Sequence, residues 1–275
     1  QPEPAKQPEP AKQPEPAKQP EPAKAAEKVE GPPAPPVEKP APVEATIEQP
    51  KHFKVTFTSE GAAPSHWVLL DPQYKEDKPK ESNKTADQID LVRTRPANLP
   101  FVVTFPKSSF DLPPDAVWTQ EPQKGDGSIA YVWENADARV EKRYVFEPKS
   151  YAFQVSVTVE NKTNEKQAHF FQIQMHGWQD PSIKPGGFMS RPVSQTSGEC
   201  YVSGKVHRKT FEEMTKKGGI EELGDVRWIG VGEQYFFDAV GLKPSDEQKR
   251  CNVFSAPDGS ISSIMTVAQR WVPAH

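Results

Sequence analysis

Polar and apolar side chains alternate along most of the chain from His52 onward. In HFKVTFTS, Phe53, Val55 and Phe57 share one face while Lys54, Thr56 and Thr58 share the other, the period of two that a half-buried strand requires. SYAFQVSVTVENKTNE carries the pattern furthest, with Tyr151, Phe153, Val155, Val157 and Val159 set between Ala152, Gln154, Ser156, Thr158 and Glu160. Burying that one face is worth roughly 7–15 kcal/mol before chain entropy is set against it. AHFFQIQMHGW repeats the alternation, Phe171, Ile173 and Met175 inward and Gln172, Gln174 and His176 outward, and the turn-rich NKTNEKQ between the two segments predicts a hairpin. Further strands are predicted in WVLL, FVVTF, IAYVW, ARVEKRYVF, CYVSGKV, RWIGV, QYFFDAVGL, CNVFS and SSIMTVAQRWV. KTFEEMTKKG reads as a short helix, ended by Gly218 and Gly219. A dozen or so short strands with one or two short helices make an all-β protein, a single large antiparallel β-sandwich. A closed barrel is the alternative that periodicity does not separate.

The pattern is missing at the N-terminus. QPEPAK is written four times over residues 1–24, and AAEKVEGPPAPPVEKPAPVEA follows to Ala45. That leader holds 14 of the chain's 31 prolines, no aromatic residue and no apolar side chain larger than valine. It offers too little apolar area to offset about 1–2 kcal/mol of backbone ordering per residue, and its prolines remove amide donors. The expectation is a disordered, proline-rich, semi-rigid spacer over residues 1–47, extended as polyproline II, and a folded domain over 48–275. The leader takes eight of the 38 acidic and six of the 34 basic residues, which leaves 30 and 28 for the body. Such a near-neutral surface, without a basic block interleaved with aromatics, argues against nucleic acid as a partner. No run of 18 apolar residues is present to span a membrane. The start on Gln1 in place of methionine points to an excised or processed piece.

Chemistry is sparse. GxSxG, Walker, HExxH and CxxC motifs are all missing. The six histidines, at 52, 66, 169, 176, 207 and 275, form no i, i+2 or i, i+4 pair, and a regular strand puts His169 and His176 on opposite faces. Each is expected to be a satisfied surface or edge residue, and no catalytic, metal or cofactor-binding residue is expected. Cys200 and Cys251 are too few for a disulfide scaffold. Either they pair, closing a loop worth about 4 kcal/mol, or they are two separate half-buried thiols. Trp178 and Phe188 flank the loop QDPSIKPGGFMS, where an aromatic has less reason to be buried, and are the candidate partner or groove contacts. Together with the polar face of residues 152–160 they suggest a groove on one sheet that takes a partner or an extended peptide.

Three segments carry a family resemblance. DVRWIGVGEQYFFDAVGLKP runs from a tryptophan-led strand through a Tyr-Phe pair to a Pro-terminated second strand; FKVTFTSEGAAPSHWVLLDPQYKED and ARVEKRYVFEPKSYAFQVSVTVENKTNE precede it in the expected order. On these motifs, which cover most of residues 50–275, the chain resembles the large periplasmic domain of the YidC family of bacterial membrane protein insertases. One departure is Gly61–Ala62, where the family usually has a double glycine; alanine disfavours positive φ, so a different turn is expected there. The resemblance implies a β-supersandwich of galactose-mutarotase-like fold and no catalytic residue, since insertion breaks no covalent bond. It implies a bacterial inner-membrane protein with this domain facing the periplasm and flanking transmembrane helices outside this chain. Its implied partners are the Sec translocon, its accessory proteins and nascent membrane proteins, the last handled in chaperone-like fashion. The other reading, from fold kinship alone, is a carbohydrate-binding or mutarotase-like sandwich, which needs a general acid and base facing each other across a concave sheet.

Overall fold

The computed structural model describes residues 40–74, 88–95, 97–183 and 195–274. The QPEPAK leader and Phe188 lie outside the described residues. Within them the chain forms eighteen strands and one helix. β1 (Glu44–Gln49), β2 (Phe53–Thr58) and β3 (Ala63–Leu69) make a meander. Short β4 (Val102–Thr104) and β5 (Thr119–Gln120) lead to β6 (Ser128–Glu134), β7 (Ala138–Phe146) and β8 (Phe153–Asn161). Next come β9 (Gln167–His169), β10 (Gln172–Trp178), β11 (Ser197–Val202) and β12 (Lys205–Thr210). After α1 (Phe211–Lys217) follow β13 (Ile220–Gly224), β14 (Val226–Gly232), β15 (Phe237–Gly241), β16 (Lys249–Ser255), β17 (Ser260–Val267) and β18 (Arg270–Val272).

The sheets are antiparallel, in the orders β1-β2-β3, β5-β6-β7-β8, β13-β16-β17-β10-β4, β12-β11-β14-β15 and β18-β9. None closes on itself among the described residues, so the fold is a β-sandwich and the barrel alternative falls away. The first pair of layers meets through aromatic rings. Phe57 of β2 packs 4.8 Å from Tyr144 of β7, Phe53 5.5 Å from Phe146, and Trp67 of β3 5.0 Å from Phe153 of β8. These are the inward positions of the period-two pattern, and Phe53, Val55 and Phe57 are fully buried. In the second pair, Ile173, Met175, Val253, Ile261 and Met265 of one sheet bury against Val226, Ile229 and Val231 of the other.

Two features hold that second pair together at close range. A disulfide joins Cys200 of β11 to Cys251 of β16, from one layer to the other, with Cα atoms 6.6 Å apart. Two residues before Cys200, Gly198 lets the layers touch: a Cβ there would lie 2.3 Å from Val253 Cγ1 and 3.0 Å from Ser263 Oγ. Gly198→Ala is therefore expected to lower stability by about 1–3 kcal/mol through overpacking, read as a fall in urea midpoint, and a Gly198→Ala/Val253→Ala pair should recover part of the loss.

α1 forms where the sequence places it, with Thr210 and Glu213 closing a capping box and Gly218 at φ 78° ending it. Elsewhere the chain departs from its pattern. β8 and β10 are not a hairpin: β8 pairs with β7, Phe146 opposite Phe153, while β10 lies between β17 and β4 in another sheet. The six-residue link Glu147–Ala152, with Lys149 left-handed at φ 58°, returns β8 directly onto β7. The segment from Ala168 is not one strand but two, β9 pairing with β18 before the chain crosses sheets at Phe170. CYVSGKV is likewise a hairpin, turned at Ser203 and Gly204, both at positive φ. β1 begins at Glu44, ahead of the boundary expected at residue 47, because Ala45 and Ile47 pack against the core on its inward face.

The Gly61–Ala62 turn also differs from expectation. Gly61 at φ 67° and Ala62 at φ 48° are both left-handed, so alanine holds the conformation it disfavours. Buried donors from β7 pin it: Tyr144 Oη donates to Ala62 O at 2.9 Å and Lys142 Nζ to Gly61 O at 3.4 Å.

Candidate functional site

An open cleft of about 300 Å³ lies between the two packed layer pairs. Trp67 and Leu69 of β3 and Phe153 of β8 line one side, and Phe236, Phe237 and Asp238 at the start of β15 line the other. The second wall is built by the turn GEQYFFD, closed by a hydrogen bond from Glu233 N to Phe236 O of 2.8 Å. β14 prepares it with glycine, since a Cβ at Gly230 would come within 2.5 Å of the Phe237 ring. The Phe237 ring meets Trp228 edge-on at 5.3 Å, and Trp228 stacks on Tyr201 at 6.1 Å. Tyr235 at the turn is 80% exposed and Phe237 46%. Tyr74 bridges the mouth, packing edge-on against Phe236 at 5.9 Å and Tyr151 at 6.4 Å.

The floor rests on a buried lysine. Phe101, left-handed at φ 62°, sets its ring edge-on to Phe153 at 5.2 Å and donates its N–H to Gln174 O at 2.8 Å. Its carbonyl accepts a 2.6 Å hydrogen bond from Lys142 Nζ. Lys142 is fully buried and ion-pairs with no carboxylate among the described residues, and burial holds its amine well below the ordinary lysine range. The amine donates to the carbonyls of both Phe101 and Gly61.

A histidine and an aspartate also face the cleft. His176 of β10 shares a 3.0 Å hydrogen bond with Ser262 Oγ, and burial brings its pKa down to about 4, so it is neutral at pH 7. Asp238 moves the opposite way: burial, with the nearby charge of Glu233, raises its carboxyl to about 7. Glu233 itself is paired with Arg93 at 3.3 Å, whereas no hydrogen bond or ion pair engages the Asp238 carboxyl among the described residues. The raised carboxyl stabilises the fold fully below its unfolded value near 4, and that contribution is lost as pH rises through about 7. Removing it in Asp238→Asn should make the variant gain on the wild type between pH 4.5 and 7.5 in urea-midpoint measurements. His176 contributes with the opposite slope between about 4 and 6.5 in both proteins and cancels in the comparison.

Trp178 ends β10 at a smaller recess beside the cleft, which it lines together with His176 and Asp238. Its Nε1–H donates to Asp258 O at 2.9 Å, and the Arg95 guanidinium stands 5.9 Å from its ring. β8 is an edge strand whose apolar Phe153, not its polar residues, enters the cleft. The histidines divide. His66 pairs with Asp90, but His169 is buried with Nδ1 unpartnered and His176 faces the cleft, so neither is the satisfied surface residue expected. No cluster of three metal-binding side chains occurs among the described residues. Tyr74, Tyr151 and the Tyr235–Asp238 run were not singled out as site residues. The signal was three successive aromatics followed by an acid at a turn, too many rings for one face of one strand to bury.

The fold and the cleft define an all-β sandwich domain with an aromatic-lined cleft. The chain belongs to the YidC periplasmic domain family, whose model matches residues 45–270. Among its relatives are the membrane protein insertases YidC of Anaeromyxobacter sp. strain Fw109-5, 27% identical over 196 residues, and of Alcanivorax borkumensis, 27% identical over 109. These matches take in 68% and 38% of this chain but 34% and 19% of those proteins, so the chain spans about a third or less of either relative. Similar solved structures include a galactose mutarotase-like protein from Lactobacillus casei, at TM-score 0.49 and 11% identity over 84% of this chain and 96% of that one. A galactose mutarotase related enzyme from Lactobacillus acidophilus gives 0.48 and 12% over 84% and 86%.

Proposed function

We propose that this chain is the periplasm-facing docking domain of a bacterial inner-membrane insertase. Apolar stretches of nascent membrane proteins seat in the aromatic cleft while insertion takes place elsewhere in the full protein. The observation that carries this reading is the GEQYFFD turn: the segment with the strongest family resemblance also supplies Tyr235, Phe236 and Phe237 to the lining of the cleft, with Tyr235 exposed. The domain acts by binding, without covalent chemistry. Trp178 and Phe188 are further contacts in the same proposal, and the Sec translocon with its accessory proteins is the partner that hands over substrate. The leader ahead of β1 serves as a connecting spacer, and the domain that opens with β1 at Glu44 does the binding.

Photocrosslinking from Tyr235 and Phe237 in the full-length protein in membranes tests this. Labelled nascent chains are expected there and not from Asp246, and equal labelling at all three positions would remove the cleft from the account. A sugar-binding reading draws on one observation, His176 and Asp238 lining a single cleft. Aldose anomerisation that disappears in Asp238→Asn would establish it in place of docking.

A further inference from the structure

The docking reading leaves Asp238 without a purpose. An apolar segment closing over the cleft would seal this carboxyl away from water with no partner, a cost that a purely hydrophobic site avoids by carrying no acid at all. The groups around it do not neutralise it. Arg93 is engaged with Glu233, His176 on β10 is neutral at pH 7, and the rest of the cleft lining is aromatic or aliphatic and carries no cation. Trp67, Tyr74 and Phe236 line the same cleft as the one carboxyl, the arrangement that receives a cation with an apolar stem.

We propose that the cleft selects apolar peptide segments that carry a lysine or arginine, the stem lying among the rings and the cationic head pairing with the Asp238 carboxylate. This rests on the docking reading and adds a charge requirement to it. Binding of the cation replaces the proton that Asp238 shares near neutrality, so affinity for such a segment rises with pH as the carboxyl ionises. Glu233, Arg93 and His176 also face this region, but the first two form a pair and the third is uncharged across pH 6–8, so the dependence follows Asp238.

Three fluorescein-labelled peptides decide the matter, each with the same ten-residue apolar segment between uncharged polar flanks and with lysine, norleucine or glutamate at its centre. Anisotropy titration of the complete 275-residue chain should give a lysine peptide about 10- to 100-fold tighter than the norleucine peptide at pH 8, the span of one charge-assisted contact. The preference should shrink toward unity at pH 5.5. It should also vanish in Asp238→Asn and persist in Asp238→Glu, with thermal melts confirming that both variants are folded. Equal binding of lysine and norleucine peptides overturns the charge requirement and leaves docking standing. No binding by any peptide overturns both. A lysine preference that survives Asp238→Asn places the cation elsewhere and overturns the assignment. Displacement of the lysine peptide by phosphatidylethanolamine vesicles, but not by phosphatidylglycerol vesicles, would show a lipid amine as the occupant and overturn the peptide.

Discussion

Removing the Cys200–Cys251 link in a Cys200→Ala/Cys251→Ala variant is expected to lower stability by about 4 kcal/mol, the loop-closure value for its separation of 51 residues. At about 2–4 °C per kcal/mol for a domain of this size, the melting midpoint should fall by about 8–16 °C. The bond joins two layers, so its loss frees the second sandwich pair to separate and does more than loosen a loop. Both sulfurs are fully buried, so a reductant reaches them through opening of the fold, and the reduction rate should track unfolding. Alkylation and mass measurement provide the companion test: no label is expected without reductant and two labels with it. Two labels on untreated protein would show a pair of thiols and withdraw the stability estimate.

Lys142→Ala is expected to cost about 3–5 kcal/mol. The four-methylene stem leaves a cavity, for which long side chains cost about 2–5 kcal/mol, and the Phe101 carbonyl loses its Lys142 donor, which costs about 1–3 kcal/mol more if it stays buried. Part of this is returned because the amine no longer has to be dehydrated. Lys142→Met separates the contributions, since it keeps the volume and removes the donors. It should be milder in stability but should still relax Phe101, whose left-handed backbone depends on that bond. The pH dependence identifies the amine. Its folded pKa is depressed, so its stabilising contribution is complete above the ordinary value of 10.5 and is lost as pH falls toward the lowered one. Wild-type urea midpoints should therefore climb relative to Lys142→Met as pH rises toward 9.5. Tyr131 and Tyr144, whose phenols burial raises, act in the opposite direction only above pH 10, outside that window.

Period-two alternation made the strands legible and their faces nearly so. Phe53, Val55 and Phe57 point into the core, as do Ile173 and Met175. Partners were not legible, because alternation says which side of a strand is apolar and nothing about which edge is bonded. β8 and β10 share a pattern and a turn-rich link, yet the short Glu147–Ala152 return claims β8 for β7. The cleft was hidden for a related reason. Its walls come from β3, β8 and β15, far apart in sequence, and its floor depends on a lysine inside ARVEKRYVF whose charged type, unlike its place in the alternation, speaks against burial. Lys142 occupies an inward position of β7, and only the carbonyls of Phe101 and Gly61 make that position habitable. Trp178 was legible as an aromatic beside a loop, but it entered the smaller recess next to the cleft.

Among the described residues β15 stands outermost in its sheet, hydrogen-bonded to β14 alone, and it carries both Phe237 and Asp238. A strand with a single neighbour parts from its sheet at lower free energy than the layers beneath it. This cleft wall is thus less firmly anchored than the disulfide-clamped layers behind it. Its amides should exchange with solvent well before those of β16 and β17.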